Sequence, residues 1–279
     1  MKKNEQAVWF ITGASSGFGK AFAEYAISQQ YNVVVTARRT DKLATIKALA
    51  PDRVEAIGMD VTNNKEIAAA VEQAIRRFNR IDVLINNAGY GIVGGVEETP
   101  EAELRALMDT NFFGAVALSK MLIPQFRKQQ SGAIVNISSL GGQLSYPGFG
   151  AYSASKFALE GVSEAMATEL GPLGIKVLIV EPGQFRTDLA GEAMRHMPEI
   201  DAYKDTVGKT REFARSMGGT QPGDPLKAAA AIDKALRAEK TPLRLQLGMD
   251  AIDAVRQHSE ALLKDLGEWE QVGRDTLLD

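Results

Sequence analysis

Short, mostly apolar runs alternate along this chain with longer stretches in which apolar residues recur every three or four positions. The runs fall at 7–11, 32–37, 53–59, 82–86, 133–137 and 176–180. The periodic stretches fall at 20–29, 64–78, 100–110, 111–128 and 152–170. Runs this short and this uniformly apolar read as strands buried on both faces, and the 3.6-residue period reads as helices. Alternation of the two predicts an α/β fold with a parallel sheet between two helical layers. Right-handed crossovers make such a sheet doubly wound, with ligands at the carboxyl ends of its strands. Farther on, 225–238 reads as a helix, 243–247 as a last strand, and 250–266 as an amphipathic helix before a polar tail. That gives about seven strands in one domain over 1–279, with no repeat and no dividing linker.

The first strand runs into Thr12-Gly13-Ala14-Ser15-Ser16-Gly17-Phe18-Gly19 and then into the first helix. A strand, a glycine turn and a helix can hold a dinucleotide pyrophosphate, because glycines let backbone N–H groups approach the phosphates at a helix N-terminus. The spacing is not the usual G-x-G-x-x-G, and a glycine-rich turn alone can be only a turn. The second strand at the βαβ distance favours the Rossmann-type reading. That strand ends Val35-Thr36-Ala37-Arg38-Arg39. An acidic residue at this place would accept from the ribose 2′-hydroxyl of NAD. Ala37 cannot, whereas the planar fork of Arg38, with Arg39 beside it, suits the 2′-phosphate of NADP(H). The alternative is a pair of solvated arginines opening the next helix.

Tyr152 and Lys156 are four residues apart and share a helix face. A free phenol titrates near ~10, and a neighbouring ammonium lowers that value. The pair can therefore exchange a proton in carbonyl–alcohol chemistry. Ser139 lies thirteen residues before Tyr152, and its hydroxyl can donate to a carbonyl oxygen as charge develops there. Such a pair also arises by accident, so the surrounding motifs decide.

Those motifs are Thr12-Gly13-x-x-x-Gly17-x-Gly19, Asp60-Val61, Asn86-Asn87-Ala88-Gly89, Asn111, Ser138-Ser139, Tyr152-x-x-x-Lys156 and Pro182-Gly183-x-x-x-Thr187. In order and spacing the chain resembles the short-chain dehydrogenase/reductase family, densely over about 5–190. Its Ala37-Arg38 resembles the NADP-preferring branch, and its C-terminal extension, about 248–279, the hydroxysteroid- and retinol-dehydrogenase-like branches. The resemblance implies a nicotinamide cofactor held by Gly13, Ser15, Ser16, Gly17, Phe18 and Gly19 of the turn, with Arg38 and Arg39. It implies contact of Asp60, next to Val61, with the adenine amino group; a turn or capping aspartate is the alternative. Asn87 would support the sheet, with Ala88 and Gly89 leaving room for the cofactor. Asn111, starting a long helix, would hold a water that relays protons to Lys156; an N-cap is the alternative. Lys156 would also bind the nicotinamide ribose. Pro182 and Gly183 would flank the nicotinamide, and Thr187 its carboxamide or the pyrophosphate. Pairing through the helices near Asn111 and Tyr152 would give a homodimer or homotetramer.

Composition narrows the classes. The 279 residues are 45% hydrophobic, enough for a full core. A net charge of −3 with scattered Lys and Arg speaks against nucleic acid as a partner. With no cysteine, thiolate chemistry and Cys metal sites are excluded, and the two histidines, His196 and His258, have no metal spacing. No apolar run approaches the ~18 residues of a membrane span, and no signal peptide is evident, so a cytoplasmic location is expected.

The substrate pocket is expected from Ser139, Gln143, Tyr146, Tyr152 and Phe185, with Gly91 and Ile92. A helical lid over 187–223, from Leu189, Met194 and Met197 to Phe213, would close it. Alternatively these apolar lid residues pack on the body. Together the residues point to an NADP(H)-dependent oxidoreductase acting on an apolar ketone, aldehyde or alcohol. A non-catalytic NADP(H) sensor would lack the Ser, Tyr or Lys that this chain keeps. A nucleotide-sugar epimerase would differ in glycine spacing and length.

Overall fold

The structure is a computed structural model and describes residues 6–188 and 193–278. Seven parallel strands form the central sheet in the order β3-β2-β1-β4-β6-β7-β9. They are β1 (Val8–Thr12), β2 (Asn32–Ala37), β3 (Val54–Gly58), β4 (Val83–Asn86), β6 (Gly132–Ile137), β7 (Ile175–Pro182) and β9 (Arg244–Leu247). The order reverses between β1 and β4, the switch point at which this class of sheet opens a ligand crevice.

The two-residue period of the strands builds two cores. Trp9, Ile11, Val33 and Val35 face α1 (Gly17–Ser28) and α8 (Pro225–Arg237), where Phe22, Ala23, Ala229 and Ile232 meet them. Val8, Phe10 and Val34 face the other way, onto Ile67 and Val71 of α3 (Asn64–Phe78) and Leu118, Leu122 and Phe126 of α5 (Gly114–Gln129). A strand buried on both faces has no place for polar alternation, and so the runs are continuous.

The expected helices at 100–110 and 111–128 form one continuous helix. α4 (Glu101–Met108) passes through a π-helical turn, Asp109–Phe113, into α5. Asn111 is therefore inside a helix and is no N-cap. By length and composition this helix, Glu101–Gln129, could cross a membrane, although it holds no unbroken apolar run of the expected ~18 residues. A third of its most apolar window is buried inside this fold.

The segment expected as a helical lid is mixed. β8 (Met194–His196) pairs with β5 (Gly91–Val93) in a second, two-stranded sheet. Irregular turns lead to α7 (Lys209–Ser216). Leu189 lies outside the described residues. The last helix, α9 (Met249–Arg274), outruns the expected end at 266. Its polar end carries i,i+4 pairs, Lys264–Glu268 and Glu270–Arg274, which favour helix over tail.

Candidate active site

A cleft of about 1340 Å³ opens at the carboxyl edge of the sheet. Pockets for one small ligand usually measure ~300–1,000 Å³, so there is room for two molecules side by side. The glycine turn forms one wall. Gly13 and Gly17 have φ of +65° and +52°, where a Cβ is strained. At Gly19 a Cβ would lie 2.4 Å from the Gly13 carbonyl oxygen, so glycine is required for the turn to close on the helix. The N-cap of α1, Ser16, makes no side-chain capping bond, and its first turn holds no acid. Its N–H groups and partial positive charge are thus left for an anion, and Ser15, Ser16, Gly17 and Phe18 line the cleft there. This is a fit for a dinucleotide pyrophosphate.

Farther along the wall, Arg38, Arg39, Asp60 and Val61 line the same cleft. Asp60 Oδ1 accepts from the Thr62 N–H (2.9 Å) and hydroxyl (2.8 Å), so one carboxylate oxygen serves its own turn. Asn87 joins the neighbouring loops. Its amide donates to the Thr12 carbonyl (2.8 Å), while the N–H groups of Asn87 and Ala88 donate to Thr12 Oγ1. Gly89 lies beside the Asn111 amide, and its side of the cleft includes Asn87 and Ala88. Pro182 ends β7; Gly183 donates to the Leu247 carbonyl; Thr187 stands over Gly17, 3.3 Å from where a Cβ would be. Gly13, Pro182, Gly183 and Thr187 all line the cleft, whereas Gly19 lies behind it.

The proton-transfer candidates converge on the floor. Tyr152 and Lys156 occupy successive turns of α6 (Gly150–Leu170), with Lys156 Nζ 5.7 Å from the Tyr152 ring centroid. Nζ donates to the Ile137 carbonyl at 2.8 Å. Ser139 caps a short 3-10 turn, its Oγ accepting from the Gly141 N–H at 3.1 Å. Its hydroxyl also meets the Tyr152 phenol. Burial pushes the phenol above its ordinary value, and the Ser139 hydrogen bond pulls the other way. Burial brings Lys156 down to about 8, against the pull of the Glu160 carboxylate. The phenol is thus raised where a lowering by Lys156 was expected, and the Lys156 ammonium is directed at the Ile137 carbonyl. At neutral pH the phenol is a proton donor.

Asn111 is buried, with both amide hydrogens engaged, to the Tyr90 carbonyl (3.0 Å) and Ser155 Oγ (3.1 Å). Its Oδ1 accepts from the Tyr90 N–H (3.1 Å). It does not line the cleft. The π turn puts it there: the extra residue rotates the side chain inward, a distortion common at functional sites.

The expected pocket wall is redistributed. Tyr146 lines the cleft, as do Pro147, Phe149, Met194, Phe213 and Met217. Phe185 lines it too, but its ring packs on Phe18 at 5.1 Å, beside the glycine turn. Gln143 is turned away, donating to Glu160 and Glu181 at 3.2 Å each. Ile92 and Met197 are buried together in a small third core, so these two pack on the body. Gly91 is held in the β5–β8 pairing.

Two contributors went unread in the sequence. Asp250, in the first turn of α9, lines the cleft, and its Oδ2 accepts from the Gln184 N–H at 2.7 Å. This ties the C-terminal extension to the turn after β7. Arg195 of β8 lies over the Tyr90 ring at 4.3 Å and pairs with Glu103 at 2.8 Å. Both rest on contacts between segments far apart in sequence. The one local signal was an aspartate opening a helix after Gly248.

Comparison with known proteins agrees with this architecture. The family model for short chain dehydrogenase matches residues 7–198. A crystal structure of a short-chain dehydrogenase from Streptomyces avermitilis is 51% identical and superposes with a TM-score of 0.93, covering 99% of this chain and 100% of that one. A short chain dehydrogenase/reductase from Burkholderia phymatum, solved in complex with NAD, is 26% identical with a TM-score of 0.81, covering 95% and 97%. The 3-ketodihydrosphingosine reductase of Bacteroides thetaiotaomicron is 40% identical over 244 residues, 85% of this chain and 86% of the relative. The chain belongs to the short-chain dehydrogenase/reductase family of oxidoreductases.

Proposed function

We propose that this short-chain dehydrogenase/reductase is an NADP(H)-dependent enzyme that interconverts a carbonyl and an alcohol on an apolar small molecule. The observation that carries the reading is the convergence of Ser139, Tyr152 and Lys156 on the floor of a cleft whose wall is a glycine turn at an uncapped helix N-terminus. When bound, the nicotinamide supplies the hydride to a carbonyl carbon, or accepts it from an alcohol. Tyr152 gives its phenolic proton to the carbonyl oxygen in reduction and takes it back in oxidation. Ser139 donates a hydrogen bond to that oxygen as negative charge develops. Lys156, buried below the phenol, offers a positive charge and would hold the nicotinamide ribose hydroxyls when the cofactor is bound. Asn111 fixes the Tyr90 turn and Ser155, whose hydroxyl donates to the Tyr152 carbonyl at 2.7 Å, and so supports the relay that returns the proton.

The choice of NADP(H) rests on Ala37 and Arg38 at the cleft edge of β2, where no carboxylate is present to accept from a ribose 2′-hydroxyl. The apolar substrate rests on Tyr146, Pro147, Phe149, Met194, Phe213 and Met217, which line the part of the cleft the dinucleotide does not need. The relative named 3-ketodihydrosphingosine reductase is a reductase of a keto compound, which points the same way. Exposed Phe113 in the π turn, Met121 on α5 and Phe157 on α6 support pairing of two copies across those helices.

The test is oxidation of NADPH and of NADH, followed by nicotinamide absorbance, over ketones and aldehydes of increasing chain length. Turnover favouring NADPH and rising with chain length supports the reading. Turnover confined to NADH, or to polar sugars, overturns it.

A further inference from the structure

Behind the floor of the cleft lies a group of buried charges that the chemistry above does not use. Tyr152, Lys156 and Glu160 succeed one another at intervals of four along one face of α6. Glu160 is 4% exposed, and the second carboxylate, Glu181 on β7, is fully buried. One guanidinium serves both: Arg244 Nε of β9 lies 3.1 Å from Glu160 Oε2 and 3.1 Å from Glu181 Oε1. Gln143 donates to both carboxylates, and Gln246 donates to Glu181 at 2.7 Å. Arg244 also reaches Glu164 on the exposed flank of α6. The second Glu160 oxygen, Oε1, makes no hydrogen bond of good geometry, nor does Ser138 Oγ. Both crowd the Gly142 α-carbon, where a Cβ would lie 2.9 Å from Oε1 and 2.5 Å from Ser138 Oγ. Gly142 leaves the space that lets Glu160 stand directly behind the cleft-lining Ser138.

Burying charge is costly unless it is compensated, and a carboxylate next to a buried ammonium holds that ammonium charged. Lys156 faces the Tyr152 ring and Glu160 on its own helix and the Ile137 carbonyl of β6, while Glu181 of β7 and Arg244 of β9 meet Glu160 from the far side. The Glu160 carboxylate is the negative group acting on it. We propose that Glu160 is a positioning residue of the proton-transfer site: held by Arg244 and Gln143, its carboxylate is the buried counter-charge of Lys156. The proposal rests on the function assigned above to Tyr152 and Lys156. Burial pushes Glu160 up, against Ser138, Arg244 and Gln143, and brings Glu181 up to about 7. The two carboxylates share one cation, Arg244.

The sign of the effect follows. Lys156 carries its charge below its pKa of about 8 and loses it above. The phenol lies higher, so the first alkaline loss of activity belongs to Lys156. Glu160→Gln keeps the shape and removes the charge. It moves the Lys156 titration, and the alkaline limb of kcat with it, downward by about one pH unit. Competitive acetylation of Lys156 over a pH series, read by mass spectrometry, follows the amine whether or not any carbonyl is turned over. Glu160→Asp should restore part of the shift. A folded Glu160→Gln protein with an unmoved Lys156 midpoint overturns the proposal, as does a drop in kcat with no movement of the limb. Where Glu160→Gln does not fold, Glu181→Gln decides. It leaves Glu160 alone with Arg244 and more fully ionised, so the midpoint holds or rises; a fall contradicts the proposal. A shifted midpoint without turnover sinks the function reading and spares this one; turnover with a fixed midpoint does the reverse.

Discussion

Glu98 and Arg211 tie the 197–216 segment to the chain before α4, and breaking the pair should loosen it. The two side chains are 1% and 2% exposed and 2.7 Å apart. Arg211, on α7, also donates to the carbonyls of Met197 (2.7 Å) and Pro198 (3.0 Å). Glu98, before α4, accepts from the N–H groups of Gly95 (2.6 Å) and Ile200 (2.8 Å). Glu98→Ala thus leaves a buried guanidinium and two N–H groups without their anion. Removing one partner of a buried pair costs about 3 kcal/mol or more. At ~1.4 kcal/mol per tenfold, the opening equilibrium of 197–216 should rise a hundredfold or more. Hydrogen exchange of those amides is the assay, with the strands of the central sheet as internal control. Burial alone would push the Glu98 carboxyl up, but the bonds from Gly95, Ile200 and Arg211 outweigh it and hold it below its ordinary value. A lowered carboxylate contributes stability above its unfolded pKa, near ~4.3, and loses it as pH falls through the lower folded value. Exchange of 197–216 in the wild type should therefore rise only below about pH 4. Unchanged exchange of 197–216 in Glu98→Ala, or exchange that rises equally in the sheet, would refute the reasoning.

Three further outcomes are expected. Arg38→Asp should raise the Michaelis constant for NADPH at least tenfold and that for NADH little, as steady-state kinetics with both cofactors will show; equal effects would contradict the role of Arg38. Asp250→Ala removes the acceptor of the Gln184 N–H and should weaken NADPH binding about tenfold by fluorescence titration, whereas Asp250→Asn, which keeps an acceptor, should lose much less. Gly19→Ala drives a methyl group onto the Gly13 carbonyl and should lower both the thermal midpoint and NADPH affinity; a stable, tightly binding variant would contradict the packing described.

The central sheet was legible because a strand buried on both faces leaves an unmistakable run. The strand at Asn32–Ala37 and the helix at Asn64–Phe78 fall where the pattern puts them. Motif order likewise brought the glycine turn, Ser139, Tyr152 and Lys156 to one cleft. Other features depend on long-range contacts that no local period records. β5 and β8 are three residues each and exist only because they pair across about a hundred positions. Gln143 looked like a pocket residue from its place before Tyr152, yet two buried carboxylates claim it. Asn111 resembled a helix start because no sequence signal marks a π turn inside a helix. The charge on Lys156 was readable, but the burial that raises the Tyr152 phenol was not.

The most direct test of the account compares wild type with Tyr152→Phe in single turnover of NADPH on a reducible ketone, alongside NADPH binding. The phenyl ring keeps the packing against Phe149 and removes only the donor. The account predicts that binding stays within about twofold while turnover falls by ~10² or more. Turnover near wild type in the folded, NADPH-binding variant would show that the proton comes from elsewhere and would contradict the assignment of this site.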